Sequence, residues 1–73
     1  MDKQKFLEEF MEIFEETDSS EITLETRFKG LEEWNSLIVL SLIVHFEENY
    51  SVSITAKQIN EAEIINDLYK LVK

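Results

Sequence analysis

The chain has 73 residues, with 16 Asp plus Glu against 7 Lys plus Arg, a formal net charge of −9, one His, and neither Cys nor Pro. That length bounds the chain to a single domain over 1–73 with a small core, and the lack of Cys excludes a disulfide framework, a thiolate metal site and a cysteine nucleophile. The acidic balance argues against nucleic acid and against an anionic membrane surface, both of which are bound chiefly through Lys and Arg.

In chain order, Phe6, Phe10, Ile13 and Phe14 recur at i, i+4, i+7 and i+8, the apolar stripe of an amphipathic helix. The spacing predicts helix one over about residues 3–16, ended by the turn formers Thr17-Asp18-Ser19-Ser20. Lys3 and Lys5 near its start and Glu15 and Glu16 near its end oppose the helix dipole, which marks these charges as serving the surface. From 17 to 35 no helical period holds. Ile22, Leu24, Phe28 and Leu31 are spaced as in a loop pinned to a core by scattered anchors, and so long a connection in a small domain is often functional. At Trp34-Asn35-Ser36-Leu37 the loop gives way to a strong helix reaching Tyr50, with Asn35 or Ser36 suited to the N-cap. Beyond Ser51-Val52-Ser53-Ile54, Thr55 and Gln58 have the spacing of a capping box that opens a short helix to about Ala62. A last helix over about 65–72 carries Ile65, Leu68, Leu71 and Val72 on one face. The expected fold is all-α: a small four-helix bundle of three main helices and one short one, with a long loop between helices one and two.

The second helix carries more apolar surface than one buried face requires. At about 100° per residue, Val39, Leu42, Ile43, Phe46 and Tyr50 cluster together, whereas Leu37, Leu40 and Val44 fall on roughly the opposite side among Ser41, Glu47 and Glu48; Ile38, His45 and Asn49 lie between. Two readings of the second stripe stand. Either it lies under the long loop, which has Phe28, Leu31 and Trp34 to spare, or it stays in water as a docking strip for a partner with a greasy groove rimmed by Lys and Arg. Between Lys29 and Lys57 there is no Lys or Arg, while Glu32, Glu33, Glu47 and Glu48 all fall there. This pattern favours docking, although an acidic surface also serves solubility.

Stand-alone chemistry finds little support. Ser36 and His45 are nine positions apart, about 180° around one helix, so no Ser–His pair forms from the only His. Asp18 to Glu25 lacks the Gly and the ligand spacing of a calcium loop. Nothing fixes an acid–base pair of carboxylates, and neither catalytic residues nor a metal site are expected. Met1 to Lys5 run into a mixed apolar and acidic stretch rather than a signal segment. The apolar run Leu37 to Phe46, broken by Ser41 and His45, is far short of the about 20 residues a bilayer span needs. A soluble, cytoplasmic protein without membrane insertion is expected, and a monomer.

The stretch Trp34-Asn35-Ser36-Leu37, the apolar helix ending Phe46-Glu47-Glu48-Asn49-Tyr50, and then Val52-Ser53-Ile54 resemble the acyl carrier protein family, over essentially the whole chain. The family signature is Asp-Ser-Leu, whose serine receives 4′-phosphopantetheine. The resemblance implies that Ser36 is the attachment site, flanked by Asn35 and Leu37, and that the prosthetic thiol carries an acyl or aminoacyl group as a thioester. It implies as partners a phosphopantetheinyl transferase and the enzymes that load and use the cargo, docking on Leu37, Leu40, Ser41, Val44, Glu47 and Glu48. Asn35 departs from the family's Asp and removes a charge that helps engage the basic transferase. Ser41 stands where fatty-acid carriers commonly have an acid. Both departures point to a specialised lipid, polyketide or surface-polymer pathway. An interior lined by Phe6, Phe10, Phe14, Phe46, Ile54 and Ile59 either accepts an acyl chain or is simply filled. The rival reading is an unmodified helical interaction module of the same fold.

Overall fold

The structure, a computed structural model, describes residues 3–72; Met1, Asp2 and Lys73, which the single-domain reading includes, lie outside the described residues. Four α-helices follow one another: α1 (Lys3–Ile13), α2 (Ser36–Tyr50), α3 (Ala56–Glu61) and α4 (Ile65–Tyr69). Two 3-10 turns, Ser19–Glu21 and Phe28–Gly30, lie in the α1–α2 connection, and no strand occurs among the described residues. The chain is thus a small all-α bundle with a long first loop.

On α1 the expected stripe faces inward. Phe6 and Phe10 are buried, and so is Phe14 one residue past the helix. The helix stops at Ile13 rather than residue 16. Phe14 N–H still donates to Phe10 O at 2.8 Å. After that the Glu33 carboxylate, arriving from the loop, accepts from Glu16 N–H at 3.1 Å and from the Thr17 hydroxyl at 2.9 Å. A long-range acceptor here replaces the next helical carbonyl, so Glu15 and Glu16 lie just beyond the end of α1.

The long loop is pinned as its irregular spacing suggests: Ile22 and Phe28 are buried, and Leu24, Leu31 and Trp34 are partly buried against the core. It also closes the start of α4. Ile64 has no side-chain oxygen to cap that helix. Leu24 O and Thr26 O accept from Asn66 N–H (2.8 Å) and Ile65 N–H (3.1 Å) instead, satisfying donors that a helix N-terminus leaves orphaned. Asp67 Oδ2 accepts from the N–H groups of Glu63 and Ile64 at 3.0 and 3.1 Å. These backbone donors hold its carboxyl below the usual range.

The Thr55–Gln58 capping box forms in both directions at the head of α3. At the far end of α2, Ser51 adopts the left-handed conformation (φ 56°), with Ser51 N–H bonded to Glu47 O and Val52 N–H to Phe46 O. That is a left-handed helix ending with Ser in the place usually held by Gly. The last helix ends at Tyr69 rather than residue 72, because Leu71 and Val72 bond back three residues, to Leu68 and Tyr69, and tighten into a turn. Its buried face is therefore Ile65, Leu68 and Tyr69, while Leu71 is exposed.

Candidate functional site

The head of α2 is fixed from both sides. Trp34 stacks on Phe14 (centroids 6.3 Å, planes 10° apart) and meets Phe28 edge-on at 5.2 Å, anchoring the end of the loop to the aromatic core. The next residue, Asn35, is extended and is the N-cap. Its Oδ1 accepts from Ile38 N–H at 3.0 Å and its carbonyl from Val39 N–H at 3.2 Å. Ser36 is thus the first residue of α2 and is exposed. The N–H groups of Ser36 and Leu37 have no carbonyl of their own helix to bond, and they lie at its positive end.

The inward face of α2 is broader than the wheel suggests. Ile38, Leu42 and Phe46 form the buried row, and Val39, Ile43 and Tyr50 are partly buried beside it. Ile38 is therefore a core residue rather than an intermediate one. The second stripe stays in water: Leu37, Leu40 and Val44 are 71%, 58% and 51% exposed, and Ser41, Glu47 and Glu48 are exposed too. The loop residues that were candidates to cover it go elsewhere, Phe28 into the core and Trp34 onto Phe14 and Phe28. The stripe forms one wall of an open groove of about 610 Å³ that Ile13 of α1 completes, with Ser41, His45 and Glu48 along it. Leaving three aliphatic side chains largely in water forgoes on the order of 1–2 kcal/mol each, which docking onto an apolar surface recovers.

A polar clamp joins α1 to α2 beside this groove. Glu9 Oε1 accepts from His45 Nε2 at 2.9 Å and from the Tyr50 hydroxyl. The Asn49 amide donates to both His45 O and His45 Nδ1 at 3.1 Å, so Nδ1 is an acceptor and Nε2 carries the hydrogen. The Glu9 and His45 side chains are only 14% and 19% exposed. Burial, followed by the hydrogen bond to Glu9 and its charge, pushes the Tyr50 phenol well above its ordinary value. His45 is committed to this clamp, and nothing pairs it with Ser36. Ile13, expected with the core stripe of α1, is only partly buried and lines this groove, and neither that place nor the Glu9–His45–Tyr50 set was identified from sequence. Their signal is spread over two helices, and a wheel drawn for one helix cannot register it.

Among the described residues, no group of three or more His, Asp or Glu side chains is placed to hold a metal ion, and no helix is long and apolar enough to cross a membrane. Comparison of the chain with protein-family models, with curated proteins and with solved structures found no match.

Proposed function

We propose that this chain is a carrier protein modified on Ser36 with 4′-phosphopantetheine, and that it presents acyl or aminoacyl cargo to partner enzymes. One observation carries the reading: an exposed serine opens α2 immediately beside an exposed apolar stripe, on a helix without a single Lys or Arg. The residues fit the group. The Ser36 hydroxyl is accessible, the Asn35 side chain is turned to Ile38 N–H as a cap, and a phosphodiester at this helix end meets free N–H groups and the positive end of the dipole. When bound, the prosthetic group supplies a thiol on a flexible arm that holds cargo as a thioester. In the attachment reaction the Ser36 oxygen bonds the β-phosphorus of coenzyme A, the pyrophosphate linkage breaks, and 3′,5′-adenosine diphosphate leaves while the seryl proton passes to the transferase.

Leu37, Leu40 and Val44 supply the apolar contact for partners. Glu47 and Glu48 supply the charge that steers basic surfaces toward it. Asn35 keeps the cap that an Asp would make and withholds its charge, which favours a transferase suited to this carrier over a generic one. The test is intact mass after incubation with coenzyme A and a broad-range phosphopantetheinyl transferase. Wild type is expected to gain one phosphopantetheinyl group and Ser36→Ala none. No gain on wild type would leave the unmodified interaction module as the reading of the same exposed stripe.

A further inference from the structure

We infer, resting on the carrier reading of Ser36, that the cargo is a short or polar acyl group that stays outside the bundle, because the interior is filled with aromatic rings and clamped shut. All five phenylalanines, Phe6, Phe10, Phe14, Phe28 and Phe46, are at most 1% exposed. Four of them touch in series, and Phe28 joins through Trp34. Phe6 lies 5.1 Å from Phe10 and 5.8 Å from Phe46, and it also meets Tyr69 edge-on at 5.2 Å; Phe10 stacks on Phe14 at 6.1 Å. These are contact separations for aromatic rings. A long alkyl chain enters a core packed this way only by forcing rings off their rotamers or pushing helices apart.

Both seams that a chain tethered at Ser36 would use are closed. Beside Ser36, Trp34 covers the gap between the loop and α1 by stacking on Phe14 and abutting Phe28. Along the α1–α2 seam, the Glu9 carboxylate holds His45 and the Tyr50 hydroxyl at once, and the Tyr50 ring lies against both Phe6 and Phe46. Opening this seam separates a partly buried carboxylate from two donors, a costly step away from bulk water. Four clefts among the described residues open on the surface, and no phenylalanine lines any of them. An apolar chain of eight carbons finds no room in this interior, whereas an acetyl, hydroxyacyl or aminoacyl group needs none.

The experiment loads the full chain with acetyl- or octanoyl-phosphopantetheine from the corresponding coenzyme A thioesters, confirms loading by mass, and follows thioester cleavage by hydroxylamine. Each rate is normalised to that of the same acyl group on coenzyme A. Equal normalised rates, with equal melting temperatures for the two loaded forms, are the result expected. Octanoyl cleavage slowed about tenfold or more relative to acetyl, as for a group exposed only when the protein opens, or a higher melting temperature for the octanoyl form, would overturn the inference and leave the carrier reading intact. Failure of wild type to load, or equal loading of Ser36→Ala, removes the carrier reading and this inference with it.

Discussion

Tyr50→Phe removes a single hydroxyl from the α1–α2 clamp and leaves the ring, so its contacts with Phe6 (6.1 Å), Phe46 (5.8 Å) and His45 (6.0 Å) persist. A hydrogen bond to a charged group contributes about 1.5–3 kcal/mol. The lower end applies here, because Glu9 Oε1 keeps His45 Nε2 at 2.9 Å after the change. A loss of about 1.5 kcal/mol in a domain of this size lowers the melting temperature by about 6–12 °C. The pH dependence is more specific. The folded-state phenol is raised above its ordinary value of 10.0, so its stabilisation is complete below that pH and declines above it, as the unfolded tyrosine ionises first. Above that pH ionisation in the unfolded state therefore removes stability from wild type. Tyr50→Phe suffers no such loss, and the gap between the two proteins should narrow as the pH rises towards 11. Thermal unfolding followed by circular dichroism at pH 7, 9, 10 and 11 reads this directly. Equal melting temperatures at pH 7, or a gap that stays constant to pH 11, would refute the clamp as described.

Ser51→Gly relieves a left-handed residue at the end of α2 and should stabilise the fold by about 1 kcal/mol, seen as a higher melting temperature; a decrease would mean the Ser51 side chain contributes more than its backbone strain costs. Asn35→Asp keeps the cap on Ile38 N–H and adds a negative charge at the positive end of α2, worth about 0.3–1 kcal/mol. It should raise both the melting temperature and the rate of modification by a generic transferase. Glu47→Lys with Glu48→Lys should slow modification at low salt and flatten its salt dependence, since both residues are exposed and charge complementarity acts mainly on association. Unchanged rates at low ionic strength would take these two residues out of the docking surface.

The two-sided character of α2 was legible because it is local. One helix carries more apolar residues than one face can bury, and the spacing alone separates Leu37, Leu40 and Val44 from Leu42 and Phe46. The cap at Thr55 was legible for the same reason, and that of α2 was narrowed to Asn35 or Ser36; Asn35 takes it, and each cap is a side chain bonding backbone three residues on. What escaped was set by contacts across the chain. The end of α1 depends on Glu33, the start of α4 on carbonyls of the loop, and the partly buried place of His45 on Glu9 of α1. Tyr69 lies three and four positions on from Asn66 and Ile65, so it shares the face of Ile65 and Leu68, and Leu71 falls outside that face because α4 ends at Tyr69.

Locating the modification decides whether Ser36 is a carrier site. Wild-type protein incubated with coenzyme A and transferase is cleaved into peptides and fragmented in the mass spectrometer. The phosphopantetheinyl group is expected on Ser36 and on none of Ser19, Ser20, Ser41, Ser51 or Ser53; an unmodified Ser36, or the group on any of the others, would overturn the assignment.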